Sequence, residues 1–174
     1  MGSLIFGFGN GKNSYRMRSE MKVAIAIAMM AFSMAALAQS AGKVQVFSAD
    51  SLHGQLAQLG AEAKAKGSSG STLVDYGSHA VKLSVRTSSG GAEVHAHFDD
   101  VFVVTEGKAT LITGGTVLDG HTGSDGETHG SGIRDGVTQT IAAGDVVTIP
   151  AGTPHQLMVA PGTTYSSIVV KVKE

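Results

Sequence analysis

The chain has 174 residues, no cysteine, and 13 basic against 14 acidic side chains, for a formal net charge of −1. Without thiols it forms neither disulfides nor thiolate–metal bonds, and a lipid anchor on an N-terminal cysteine is excluded as well. This charge balance leaves no basic surface to hold a nucleic-acid partner.

Residues 1–20 read as an upstream extension or an appended segment, with Met21 the expected start. Gly7-Phe8-Gly9-Asn10-Gly11-Lys12 is glycine-rich but matches neither the phosphate-loop nor the dinucleotide spacing. Lys22 then precedes an uncharged apolar run, residues 23–37, that closes on Ala36-Leu37-Ala38. A charged start, an apolar centre and a small-x-small close define a signal peptide over residues 21–38, cleaved between Ala38 and Gln39. The run is short for a membrane span, so the expected product is periplasmic or secreted, with no membrane contact after cleavage. Removal of Lys12, Arg16, Arg18, Lys22 and Glu20 leaves nine basic against thirteen acidic residues, a net charge of −4.

Residues 48–66 carry a helix pattern, with Ser48 as cap and Leu52, Leu56, Leu59 and Ala63 on one stripe. Gly67-Ser68-Ser69-Gly70-Ser71 reads as a flexible link. Residues 39–71 are therefore helix and linker, and residues 72–174 a β domain. Val81, Leu83 and Val85 alternate with Lys82, Ser84 and Arg86, the mark of a half-buried strand. Arg86, on the face opposite the valines, is expected to be solvated; the alternative is a place inside the barrel against an anionic substrate. Residues 101–105 turn at Glu106-Gly107-Lys108 into 109–113, residues 138–142 turn at Gly144-Asp145 into 146–149, and residues 155–159 turn at Pro161-Gly162 into 165–172. Twenty-four glycines spread over such turns favour an all-β closed barrel or jelly roll, which leaves few unpaired edges. Residues 117–137 are the least regular part and hold His121, Asp125, Glu127, His129, Arg134 and Asp135. A loop of that length is expected either to fold across the barrel mouth and complete a pocket or to stay a solvated flap.

Chemistry concentrates in two stretches. In Glu93-Val94-His95-Ala96-His97 the strand period turns Glu93, His95 and His97 to one face; Asp99, Asp100 and Gly107 follow. The second runs from Gly144 through Pro150, Gly152 and Pro154 to His155. Three imidazoles and a carboxylate suit one divalent transition metal, such as Mn, Fe, Zn or Ni. The expected ligands are His95, His97 and His155, with Asp100 or Glu93 as the acidic partner. Burying these groups together without a metal is expensive. Glu93 or Glu127 is the best candidate for a general base. His53 and His79 have no partner at ligand spacing and are expected to be structural or exposed.

These stretches resemble the paired signatures of the cupin superfamily, G-x5-H-x-H-x3-4-E-x6-G and G-x5-P-x-G-x2-H-x3-N. The second agrees at Gly144, Pro150, Gly152 and His155, with Val159 at the asparagine position. In the first, the -x6-G spacing runs from Asp100 to Gly107, with Asp in place of Glu and a shorter loop after His97. The resemblance covers residues 72–172. It implies an exported, single-domain cupin of the type-2-like kind, an antiparallel double-stranded β-helix (jelly-roll barrel) with one N-terminal helix. It also implies a metal-dependent enzyme on a small polar molecule, of isomerase, lyase or dioxygenase type, and a homodimer. Two other classes stay open: a non-catalytic barrel that binds a small ligand or metal, and a structural or dimer-forming β protein with vestigial ligands.

Overall fold

The computed structural model describes residues 42–174. The expected signal peptide, residues 21–38, and the segment before it, residues 1–20, lie outside the described residues.

Helix α1 (Ala49–Lys66) begins where a side chain can replace the missing helical acceptors. Ser48 Oγ accepts the Ser51 N–H at 3.2 Å. It ends at Gly67, which adopts the left-handed conformation (φ 86°) and donates its N–H to the Ala63 carbonyl at 2.7 Å. The stripe buries Leu59 and Ala63, flanked by Leu52 and Leu56, against Leu83 and Val85. Each such side chain removed from water contributes about 1.5–3 kcal/mol. That contact, more than helix propensity, holds α1 on the outside of the sheet.

Thirteen strands follow among the described residues: β1 (Ser68–Asp75), β2 (His79–Arg86), β3 (Ala92–His95), β4 (Phe98–Glu106), β5 (Lys108–Thr113), β6 (Thr116–Leu118), β7 (His121–Thr122), β8 (Glu127–Gly130), β9 (Gly132–Arg134), β10 (Val137–Ala142), β11 (Val146–Ile149), β12 (His155–Met158) and β13 (Tyr165–Lys173). They form a first sheet in the order β1-β2-β13-β4-β11, a second in the order β10-β5-β12-β3-β8-β7, and a separate β6-β9 pair. All pairings are antiparallel. The turns after β3, β4, β10 and β12 each carry the chain from one sheet to the other. At the β4–β5 turn a side chain would collide: a Cβ on Gly107 (φ 72°) would lie 2.0 Å from the Thr164 carbonyl oxygen. Repeated crossing between two facing antiparallel sheets is the double-stranded β-helix, the barrel of the cupins. Phe102, Val104, Ile149 and Tyr165 from the first sheet and Leu111, Ile141 and Leu157 from the second share one core.

Two expectations are corrected. The link expected at residues 67–71 is instead strand from Ser68, paired with β2 from Ser68 opposite Arg86. Ser-Ser-Gly-Ser offers no side-chain signal, but backbone pairing requires none. At Gly70 it even requires a glycine, since an added Cβ would sit 2.8 Å from the Leu83 carbonyl oxygen. The irregular segment at 117–137 is not a bare loop. It forms β6 to β9, and β8 extends the second sheet beside β3.

The faces of β2 run opposite to the usual arrangement. Leu83 and Val85 point outward, under α1. Lys82, Ser84 and Arg86 therefore line the interior cavity, so Arg86 is not the solvated residue expected of it. No helix among the described residues is long and apolar enough to cross a membrane.

Candidate metal centre

β3 and β12 are neighbours in the second sheet, with His155 directly across from Glu93. Glu93 and His95 are two residues apart on β3 and so share a face. Three groups from two strands are thereby aimed at one point. Their ligand atoms all lie within 4.8 Å of one another. Glu93 Oε2 is 3.8 Å from His95 Nε2 and 4.0 Å from His155 Nε2. The imidazole centroids are 5.1 Å apart.

Asp100, on β4, approaches from the first sheet. Its Oδ2 lies 3.3 Å from His95 Nε2 and 3.9 Å from His155 Nε2. Its other oxygen accepts a hydrogen bond from Lys171 Nζ at 2.8 Å; the two residues are paired across β13 and β4. Both acidic candidates therefore face the histidines. They differ in setting: Asp100 is 3% exposed and already has a lysine, whereas Glu93 is half-buried and has no lysine or arginine within ion-pair distance among the described residues.

The outward-facing ring nitrogens are also engaged. His155 Nδ1 donates to the Thr153 carbonyl at 3.0 Å, and His95 Nδ1 pairs with Glu127 on β8. Glu127 stands directly opposite His95 in the β3–β8 register. Each arrangement orients its ring and leaves Nε2 turned to the common point. A backbone carbonyl or carboxylate behind a histidine is how metal-ligating imidazoles are held. Two buried imidazoles so oriented, with a carboxylate between them, suit a divalent transition ion. Bonds of roughly 2.0–2.2 Å bridge such separations with small inward shifts.

Electrostatics separate the two histidines. Burial works against charge on His95, but hydrogen bonds to Asp100 and Glu127 outweigh it and raise its pKa above the ordinary value. Burial lowers that of His155, which favours its neutral form. For Asp100, burial is outweighed by the hydrogen bonds to His95 and Lys171, which bring its carboxyl below the usual range.

His97 does not join this group. β3 ends at His95, and Ala96 and His97 form a bend in which His97 is exposed. The strand period stops there because the chain must cross from the second sheet to the first. Backbone bonds secure the bend: Ala96 N–H to Gly126 O at 3.3 Å, Gly152 N–H to His95 O at 2.8 Å and Glu174 N–H to His97 O at 3.0 Å. Of the three expected histidines, His95 and His155 thus face the common point and His97 lies outside it. His53, His121 and His129 are exposed.

The cluster opens into a cavity of about 370 Å3 between the sheets. Sequence reasoning missed Lys171, because a lysine alternating with valines in a terminal strand carries the same signal as a solvent-facing one. No protein-family model and no curated protein sequence matches this chain. It is similar in structure to the DMSP lyase DddQ of Ruegeria pomeroyi (14% identity, TM-score 0.45, 62% of this chain and 47% of that one). It is similar too to the cupin domain of Schizosaccharomyces pombe Cnp3 (11%, 0.47, 62% and 61%) and to the polyketide cyclase RemF of Streptomyces resistomycificus (23%, 0.45, 63% and 67%). The chain thus spans less than two thirds of the first two. At such identities the likeness is one of fold, which the strand order establishes by itself: this chain has the cupin-type double-stranded β-helix.

Proposed function

We propose that this chain is an exported, metal-binding cupin that acts as a metal-dependent enzyme on a small polar molecule. The observation that carries the reading is the convergence of Glu93, His95 and His155 at the cavity, with both outward ring nitrogens already engaged. These three residues would hold the ion, with Asp100 beside them. A divalent transition metal bound there supplies Lewis-acid polarisation of a ligand oxygen. In this reading Glu127 is a positioning residue, since its carboxylate is committed to His95. Glu93 is the other carboxylate that lines the cavity, with no lysine or arginine within ion-pair distance among the described residues, which makes it the candidate for moving a proton if Asp100 takes the acidic ligand position. Isomerase, lyase and dioxygenase chemistries are all compatible with this donor set. Export rests on the sequence of residues 21–38, and N-terminal sequencing of secreted material tests it: a first residue of Gln39 supports export, and retention of residues 23–37 refutes the cleavage.

Elemental mass spectrometry of the purified protein tests the metal. One divalent transition ion per chain is expected, lost in His155→Ala while the β-sheet circular dichroism persists. A wild-type protein without metal, or a His155→Ala variant that keeps it, overturns the reading. One observation favours a second reading, a non-catalytic binding barrel: the Lys171 ammonium already neutralises Asp100 inside the cavity. A protein that binds small molecules with no metal present supports that alternative.

A further inference from the structure

The cavity wall formed by the first sheet leads away from the donor cluster as a ladder of polar side chains. The β2–β13 register places Lys82 opposite Val169, Ser84 opposite Ser167, and Arg86 opposite Tyr165. All of these line the cavity, with Lys171 at the end nearest Asp100. Lys171 is paired. Lys82 and Arg86 have no carboxylate within ion-pair distance among the described residues. The Arg86 guanidinium lies over the bare backbone of Gly90, where an added Cβ would meet its Nη1 at 2.7 Å. Beside it the Tyr165 phenol is 1% exposed, its oxygen facing the Ser167 hydroxyl without a well-formed hydrogen bond.

Half-buried cations without a counter-charge are costly unless something fills the space and pairs with them. We propose that the cavity takes a small carboxylate, its anionic group held by Arg86, with Lys82 two same-face positions along β2 toward the donor cluster, and its other end directed toward Glu93, His95 and His155. The guanidinium fork matches a planar carboxylate in two parallel hydrogen bonds. Three cationic and two acidic side chains line the cavity, an excess of positive charge to which a bound divalent ion would add, so an anion fits better than a neutral molecule. A volume of about 370 Å3 is at the small end of ligand cavities. The inference gives the substrate class for the site proposed above and rests on that reading for what happens at the far end.

The test is isothermal titration of the full chain, before and after chelator treatment, with acetate, butyrate and hexanoate, each beside its neutral primary amide and beside sulfate. The carboxylates should bind about tenfold or more tightly than the amides, since a charge-assisted hydrogen bond is lost with the charge. Arg86→Gln should weaken carboxylate binding by a similar factor, Arg86→Lys should recover part of it, and metal content should be unchanged in both. Lys82→Met gives a second reading should Arg86→Gln fail to fold. Equal affinity for acids and amides, no binding of either, sulfate binding as tight as carboxylate, or unaltered affinity in a folded Arg86→Gln each overturn the proposal. Because metal content is measured separately and depends on His155, failure here is distinguishable from failure of the metal reading.

Discussion

Glu127→Ala probes the link between the outer sheet edge and the donor cluster. Glu127 reaches His95 Nδ1 from β8, a strand paired with β3 on its barrel side and with the short edge strand β7 on the other. His95 is 7% exposed, so removing the carboxylate leaves its Nδ1–H with water alone and frees the ring to rotate. The stability cost of an unpaired, mostly buried donor is about 1–2 kcal/mol, held to that range because the Glu127 side chain is 25% exposed and water can reach the vacated space. The effect on metal affinity is larger, since loss of such an orienting partner lowers it about 10–100-fold. Glu127→Gln, which keeps an acceptor but no charge, should fall between. Competition against a chromogenic chelator for Zn2+ measures all three. Affinity in Glu127→Ala equal to wild type refutes the orienting role. A loss as complete as that of His95→Ala refutes it differently, by making Glu127 a ligand.

His97→Ala should leave metal content and affinity unchanged, because His97 lies exposed on the bend after β3; elemental analysis that shows loss of the ion contradicts the geometry. Lys171→Met strands the buried Asp100 carboxylate, and urea unfolding should show a loss of about 2–3 kcal/mol, less than the ~3–5 kcal/mol of a fully buried pair because the Lys171 side chain is 20% exposed. Adding Asp100→Asn should restore part of that loss, and no recovery would show that packing, not charge, is at stake. Burial pushes the Tyr165 phenol above its ordinary 10.0. The folded chain then keeps a proton that the unfolded chain releases, so stability falls as pH rises above that value toward the native pKa. Thermal melts should show this alkaline slope reduced in Tyr165→Phe, and an identical slope in both proteins counts against it.

Much of this architecture is legible because its signals are local. Ser48 and Gly67 bracket α1, and valine alternation marks β2 and β13. Glu93 and His95 needed only the strand period, and His155 only the glycine–proline bend before it. What escaped depends on contacts distant in sequence. β3 stops at His95 because Gly126 and Gly152 bond its end, and nothing in Glu-Val-His-Ala-His announces that, so His97 looks equivalent to His95. The first half of β1, residues 68–71, is invisible because its serines and glycine pair through the backbone. The polarity of β2 misleads for a different reason: its apolar face serves α1, so the face that usually means solvent is the one that lines the cavity. Lys171 and Arg86 were obscured by the same inversion, as members of alternating strands whose polar side points inward.

The central claim is a centre built on two histidines rather than three, and X-ray absorption spectroscopy of the metal-loaded protein addresses it most directly. The account predicts outer-shell scattering from two imidazoles, from His95 and His155, with oxygen ligands completing the shell and no change in His97→Ala. Three imidazoles in the wild type falling to two in His97→Ala, or no imidazole at all, would contradict it.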